Sequence, residues 1–212
     1  MKNSSFLLIV VLALFTSCES NTNTSLPYLG DHDLDTTVVN GKMKVDTDYF
    51  KIPDFRFLNQ DSVMVSNETL DGKYYIADFF FSYCPDICIP MKSQMLRVHE
   101  KFKTVERLKL ISHTLDPEHD SIPFLKQYAE SLNIDTEQWM FLNGKEAEVY
   151  ELAKKGYISY AQRDQSSPGG IVHSGFFILV DPDRHIRGVY DGTNEEDVDK
   201  LIEDLEREFA KN

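Results

Sequence analysis

The pattern of apolar positions changes its period near the middle of the chain. Residues 74–81 form a short, mostly apolar run, which is typical of a strand that is buried on both faces. Further on, apolar residues recur at steps of three and four, at Ile87, Met91, Met95, Val98 and Phe102. This spacing is typical of one buried face of a helix. The pattern therefore predicts a strand that leads directly into a helix.

Shorter elements are predicted on both sides of this pair. The expected strands lie at residues 55–58, 63–65, 108–112, 139–142, 174–180 and 186–190. The expected helices are one that Asp120 and Ser121 cap, one over residues 146–154, and a closing one that buries Val198, Leu201, Ile202, Leu205 and Phe209. Strands that alternate with helices predict an α/β sandwich. The layout is that of a thioredoxin-like fold with an N-terminal hairpin and extra helical and strand insertions.

Residues 1–17 have the features of a targeting segment. Lys2 supplies a positive charge, and residues 6–15 form an apolar core that is too short to span a bilayer. The run Phe-Thr-Ser-Cys that ends at Cys18 resembles the lipobox of bacterial lipoproteins. This resemblance implies that Cys18 becomes the lipidated first residue of the mature chain. The alternative is an ordinary secretory signal with an incidental cysteine, and under both interpretations the chain leaves the cytoplasm.

The rest of the chain divides into a tether and one domain. Residues 18–48 are rich in Ser, Thr, Asn and Asp and lack a sustained apolar period, so we predict a flexible tether. Residues 49–212 are long enough to bury one substantial core. The formal net charge of −13 argues against nucleic acid as a partner.

Once Cys18 is assigned to lipid, Cys84 and Cys88 are the remaining thiols of the chain. Pro85 suits a first helical position with Cys84 as the cap, where the helix N-terminus favours a thiolate. Residues four apart on a helix have Cβ atoms about 5–6 Å apart, but a disulfide needs roughly 3.5–4.5 Å. The pair is therefore predicted to clamp a soft metal or to form a strained disulfide. Two buried structural thiols are the alternative.

Two thiolates leave a metal under-coordinated, so a third ligand is expected. His173 follows the Gly-containing loop 166–170 and immediately precedes a predicted strand, and a ligand on such a loop could swing towards a metal. His113 ends another strand, at the sheet edge where ligands gather in open α/β folds. We favour His173 and keep His113 as the alternative, while His99, His119 and His185 are predicted at the surface. Thiolates with one imidazole suit Cu(I), whereas zinc would require a fourth ligand.

Three motifs resemble those of one protein family. Residues 80–88 resemble the Cys-Pro-Asp-X-Cys motif of the SCO/SenC family of copper-binding thioredoxin-like proteins. Residues 115–120 resemble that family's Asp-Pro-Glu segment, and residues 172–182 resemble its histidine-and-strand segment. The resemblance spans about residues 53–209 and implies that Cys84, Cys88 and His173 bind copper. His113 and Thr114 stand where many members have a plain apolar strand end.

The resemblance also implies a function. Family members assist assembly of the dinuclear copper site of cytochrome c oxidase, as metallochaperones or thiol reductants. We therefore expect a copper protein that is lipid-anchored in the bacterial cell envelope and faces the extracytoplasmic side. Its expected partners are the copper-receiving oxidase subunit and a thiol reductant or copper donor.

The alternative function is a thiol–disulfide oxidoreductase or redox sensor that needs no metal, with Cys84 and Cys88 as its catalytic redox pair. Such enzymes usually have Cys-X-X-Cys and a proline where His173 stands, and both features are missing from this sequence. A metallochaperone is therefore the primary prediction.

Overall fold

The structure is a computed structural model that describes residues 25–211. The expected signal segment and its lipidated Cys18 lie outside these residues, so both stay predictions. Within the described part of the chain, no helix combines the length and the hydropathy that crossing a membrane requires.

The strands are β1 (His32–Val39), β2 (Lys42–Tyr49), β3 (Arg56–Asn59), β4 (Met64–Ser66), β5 (Tyr74–Phe80), β6 (Leu108–Thr114), β7 (Trp139–Asn143), β8 (Ala161–Arg163), β9 (Ile171–His173), β10 (Phe176–Val180) and β11 (Ile186–Asp191). The helices are α1 (Asn67–Leu70), α2 (Cys88–Phe102), α3 (Ile122–Leu132), α4 (Glu146–Glu151), which continues as a π-helical turn over Leu152–Gly156, and α5 (Glu195–Ala210). A short 3-10 turn covers Pro168–Gly170.

The central sheet has the strand order β11-β10-β5-β6-β7-β3-β4. Strands β5, β6 and β7 are parallel, whereas β10 and β3 add to them in antiparallel orientation. Two further pairs, β1 with β2 and β8 with β9, form separate two-stranded sheets. The predicted α/β sandwich and its opening β3–β4 hairpin are therefore confirmed.

Apolar side chains cover both faces of the central sheet. On one face, α2, α3 and α5 pack over Ile76, Leu110, Phe141 and Leu179. On the other face, α1, α4 and the π-helical turn pack over Ala77, Phe79, Ile111 and Leu142. Burial on both faces explains why these central strands are continuously apolar in sequence.

The predicted tether differs from the structure over its described part. Residues 32–49 form the β1–β2 hairpin, and Leu26 is buried in the core between the sheet and its helices. Arg187 donates to the backbone carbonyls of Leu26 and Pro27, and Leu29 pairs with Ile186. The apolar residues of the hairpin alternate with Asp and Thr, so the composition of the segment resembles that of a tether although its period is that of strands. Residues that pack on the domain or form strands are therefore found from Leu26 onwards, well before residue 49.

Candidate metal centre

The two cysteines lie at the carboxyl end of β5. Residues 81–87 form a turn in which the Cys84 amide donates to the carbonyl of Phe81 at 3.1 Å. Helix α2 begins only at Cys88, with Ile87 as its N-cap residue. The prediction that Cys84 caps a helix starting at Pro85 is therefore wrong. The helical Cβ spacing does not apply to this pair, so the argument that its disulfide would strain a helix no longer holds.

A buried carboxylate fixes this turn. Asp120 accepts hydrogen bonds from both the amide and the hydroxyl of Ser82, and from the Thr114 hydroxyl at 2.6 Å. Asp120 is fully buried, so its charge is stabilised by these donors rather than by water. The start of the turn is therefore held by a residue of the β6–α3 connection.

The structure brings Cys84, Cys88 and His173 together. One ligand atom from each residue lies within 4.8 Å of the other two, and both cysteines are free thiols. The Nε2 atom of His173 is 3.2 Å from Sγ of Cys88. Cys84 and His173 are buried and Cys88 is half-buried. The three residues that the sequence favoured therefore form one compact cluster.

The orientation of the His173 ring follows from its second nitrogen. Nδ1 lies 3.0 Å from the backbone carbonyl of Ser174, which only accepts hydrogen bonds. Nδ1 therefore donates to this carbonyl, and Nε2 faces Sγ of Cys88. This is the usual arrangement of a metal-binding histidine, in which a backbone acceptor orients the ring.

His173 belongs to a strand rather than to a free loop. It pairs with Ala161 at the end of the β8–β9 hairpin, where the sequence predicted a flexible loop. The loop of this hairpin packs on the cysteine turn at Gly169, which has a φ of 74°. A Cβ atom at Gly169 would lie 2.6 Å from Cε2 of Phe81. The histidine is therefore placed in advance of any metal.

An ion-pair network joins the cysteine turn to the β8–β9 hairpin. The Tyr83 hydroxyl donates to Asp116, and Arg163 of β8 donates to the same carboxylate at 3.0 Å and to Glu146 at 2.6 Å. Burial and the bond to Asp116 raise the pKa of Tyr83 to about 12. Although burial raises it, the bonds from Tyr83 and Arg163 leave the pKa of Asp116 below its usual range. Asp116 lies in a segment that the sequence had singled out without giving it a role.

The two thiols have opposite pKa shifts. The hydrogen bond from Cys88 lowers the pKa of Cys84, and His173 and the amides of Cys88 and Asp86 act in the same direction. The bond to Cys84 raises the pKa of Cys88, together with burial. Beneath them, burial raises the pKa of Asp78 to about 7, although the Ser112 hydroxyl donates to it. Cys84 is therefore the first of the pair to become a thiolate.

The alternative ligand His113 is not part of the cluster. Its ring is fully buried among those of Phe55, Phe57, Phe79 and Tyr157, and neither of its nitrogens has a hydrogen-bond partner. This burial lowers its pKa to about 3. His113 therefore acts as a core residue.

The other histidines were predicted at the surface with mixed success. His119 is exposed as predicted. His99 is buried and accepts from the Asp135 amide, while His185 is mostly covered beside Asp181. Both packing partners come from connections between elements, which a periodic pattern does not reveal.

The donor set fits a soft metal ion. Two thiolate sulfurs and one imidazole nitrogen suit Cu(I), and the metal would replace the protons that the thiols now share. The contact of Nδ1 with the Ser174 carbonyl orients His173 from outside the cluster and leaves Nε2 facing the sulfur of Cys88. The same two sulfurs are also close enough for thiol–disulfide chemistry.

Comparison of the sequence with protein families gives one match. The model of the SCO1/SenC family matches residues 43–210. The chain is 32% identical over 158 residues to the SCO1 protein homolog of Bacillus subtilis, and this match covers 74% of the chain and 81% of the relative.

Solved structures give a similar result. A SCO1/SenC family lipoprotein from Bacillus anthracis is 26% identical with a TM-score of 0.68, covering 74% of this chain and 94% of that chain. BsSco, described as a member of the Sco family of cytochrome c oxidase assembly proteins with a disulfide switch, is 31% identical with a TM-score of 0.66, covering 74% and 92%. Copper-bound yeast Sco1 is 26% identical with a TM-score of 0.57, covering 73% and 87%. These similarities confirm the thioredoxin-like fold.

Proposed function

Because this chain belongs to the SCO1/SenC family, we propose that it binds copper and assists assembly of the copper site of a cytochrome c oxidase. The observation that carries this proposal is the cluster of Cys84, Cys88 and His173 within 4.8 Å. It is supported by the copper bound to yeast Sco1 and by the description of BsSco as an oxidase assembly protein. Copper is cargo here, taken from a donor and passed to the oxidase subunit that receives it.

Each ligand has a distinct role in holding the cargo. Cys84 supplies the more acidic thiol, and Cys88 completes the sulfur pair once its proton is displaced by the metal. His173 adds an imidazole nitrogen whose ring is already oriented by the backbone carbonyl of Ser174. Three ligands hold the ion in a position that a partner's own ligands could reach from the half-exposed side of Cys88.

The test is an anaerobic Cu(I) titration of the reduced protein in competition with a chromophoric Cu(I) chelator. Cys84→Ala and Cys88→Ala should abolish tight binding, because one thiolate does not retain the ion against the chelator. His173→Ala should weaken binding by a smaller factor. His119→Ala is the matched control, since His119 is exposed beside Tyr83 yet lies outside the cluster. Tight binding by either cysteine variant would refute the proposed site.

A thiol reductant is the second candidate function. The observation that favours it is the close approach of two free thiols with opposite pKa shifts. The two roles separate in one variant: His173→Ala should lose copper affinity and still reduce a disulfide-containing peptide of the copper-receiving oxidase subunit. Failure of the wild-type thiols to reduce such a peptide would exclude this role.

We also propose that the chain is held at a membrane through lipid on Cys18, with residues 1–17 removed and the domain in the cell envelope on the extracytoplasmic side. The lipobox-like sequence supports this, as does the description of the similar Bacillus anthracis protein as a lipoprotein. The intact mass of the membrane-extracted protein tests it. An unmodified Cys18 or a retained Met1 would refute it.

A further inference from the structure

The β1–β2 hairpin has one apolar face. In its register, Leu34 lies opposite Thr47, Thr36 opposite Val45, and Val38 opposite Met43. Directly paired residues project to the same side of a sheet. The apolar face therefore consists of Leu34, Val38, Met43 and Val45, which are 63%, 72%, 74% and 55% exposed. No other described residue of the chain covers them.

The other face of the same hairpin is charged: four aspartates outnumber two lysines, of which Lys44 pairs with Asp46 at 2.6 Å, and Val39 is its one apolar residue. Asp33 lies opposite Asp48, and Asp35 lies opposite Asp46. Like charges in directly opposed positions destabilise an antiparallel pair, and a lone two-stranded hairpin is only marginally stable in water. The stabilisation that this hairpin lacks is available from covering its apolar face. A contiguous exposed apolar surface of this kind marks an interaction site.

The hairpin joins the domain at the end of the sheet that is remote from the metal centre. In the central sheet Val180 lies opposite Tyr75, so the turn from β10 to β11 is at the start of β5. Leu29, which precedes the hairpin, pairs with Ile186 just after that turn. The cysteines follow the opposite end of β5. The point at which the hairpin joins the domain and the cysteine turn are therefore separated by about 20 Å, roughly the length of the seven-residue strand β5.

The segment that leads to the hairpin is fixed to the domain close to the lipid-bearing residue. Arg187 donates to the carbonyl of Pro27 at 3.0 Å, and the buried Leu26 anchors the same segment. Seven residue steps separate Cys18 from Ser25, and even a fully extended chain of that length spans no more than about 25 Å. The end of the domain that carries the hairpin is therefore held next to the bilayer.

We propose that the apolar face of the hairpin lies in the interfacial layer of the bilayer that holds the lipid anchor. Its charged face then points to water, and the metal centre points away from the membrane towards an extracytoplasmic partner. This inference rests on the proposed lipidation of Cys18. Burial of the apolar face in the bilayer would add to the membrane affinity that the lipid on Cys18 supplies. Two such contributions anchor a protein more firmly than one. The domain is thereby oriented rather than loosely tethered.

The experiment uses the mature lipidated protein in phosphatidylcholine vesicles, with and without lipids brominated in their acyl chains. Val38→Trp places a fluorophore on the apolar face. Thr37→Trp is the matched control, because the neighbouring residue of the same strand projects to the opposite face. The emission of the native Trp139, which is buried, is subtracted with the unsubstituted protein.

The expected result is a blue-shifted Val38→Trp emission that brominated lipid quenches and aqueous acrylamide does not, with the reverse for Thr37→Trp. Equal acrylamide quenching of both variants on vesicles would overturn the inference. So would shielding of Val38→Trp that rises with protein concentration without vesicles, because a second copy would then cover the face. Failure of the protein to float with vesicles would overturn the lipid anchor and this inference together, while the copper titration still decides the proposed function.

Discussion

Nε2 of His173 lies 3.2 Å from Sγ of Cys88, although 85 positions separate the two residues in the chain. The sheet topology brings them together. Strand β10 pairs antiparallel with β5, with Ile178 opposite Ala77, so the start of β10 lies towards the carboxyl end of β5. Residues just before β10 therefore reach the edge at which the cysteine turn begins, and the β8–β9 pairing fixes the ring there.

Gly169→Ala should lower both the stability of the protein and its copper affinity, because the new methyl group collides with Phe81. Gly170→Ala is a closely matched control: its φ is 77°, against 74° for Gly169, but nothing lies within 4 Å of its added Cβ. Both variants incur backbone strain of about 1–2 kcal/mol. Urea unfolding and the Cu(I) competition titration should show an additional loss only for Gly169→Ala. Identical losses would show that the loop does not position the site.

Loss of a group that hydrogen-bonds a metal ligand directly typically weakens metal binding by about 10–100-fold. Arg163 pairs with Asp116 and Glu146 rather than with a ligand, so Arg163→Ala should weaken Cu(I) binding by less than about tenfold. Its side chain joins Asp116 to Glu146 and so holds the β8–β9 hairpin against the cysteine turn. The measurement is again the chelator competition. Lys126→Ala removes a comparable exposed ion pair with Asp61 and should leave the affinity unchanged. Equal Cu(I) affinities for the wild type, Arg163→Ala and Lys126→Ala would show that Arg163 does not help to position the metal ligands.

His113→Leu should make the protein more resistant to acid. The pKa of His113 falls from 6.5 to about 3 on burial, so the unfolded chain binds more protons than the folded chain between these values. The stability associated with the neutral ring is present above pH 6.5 and is lost as the pH falls towards 3. The variant should therefore gain about 2 kcal/mol relative to wild type between about pH 7 and about pH 5.

Urea unfolding at both pH values measures this gain. The raised pKa of Asp78 acts in the opposite sense. Its buried carboxyl is protonated at low pH, and the folded protein loses stability as the pH rises towards 7 and this group must ionise. Because Asp78 is present in both proteins, its contribution cancels in the difference. A difference that does not change with pH would show that His113 is hydrated or paired in solution.

Leu26→Ala should destabilise the protein by about 2–5 kcal/mol, since it removes a buried side chain from the core beneath Arg187. Leu34→Ala makes the same chemical change at an exposed position of the hairpin and should have little effect on unfolding in solution. Chemical denaturation of the two variants measures the contrast. Equal stabilities of the two variants would show that residues 25–29 do not pack on the domain and belong to the tether that the composition predicted.

Copper and the disulfide should exclude each other, because both require the sulfurs of Cys84 and Cys88. A glutathione redox titration of the pair should give a reduction potential above about −300 mV, outside the range of inert structural bridges, because the lowered pKa of Cys84 stabilises the reduced pair and Cys88 is only half-buried. Addition of Cu(I) should protect the thiols from oxidation. An unchanged copper affinity after oxidation would show that the two states are independent.

Local sequence was sufficient for the elements that bury a continuous apolar face. Strand β5, helix α2 and the closing helix α5 have apolar patterns that bury one continuous surface only in the conformation observed. The spacing of Cys84 and Cys88 at a strand–helix junction indicated a soft metal or a redox pair, and the family motifs pointed to His173. These features depend on residues that are close in the chain, where periodicity and motif spacing are informative.

Only the tertiary structure decided the contacts between distant segments. It places Asp120 under the cysteine turn, pairs His173 with Ala161, and buries His113 and His99 among partners from other elements. It also reveals the β1–β2 hairpin, whose Asn40-Gly41 turn and alternating apolar residues are a local signal that the polar composition of the segment outweighed. Pairing energy between strands depends on which segments meet. Which segments meet is fixed by the packing of the whole chain rather than by the composition of either segment.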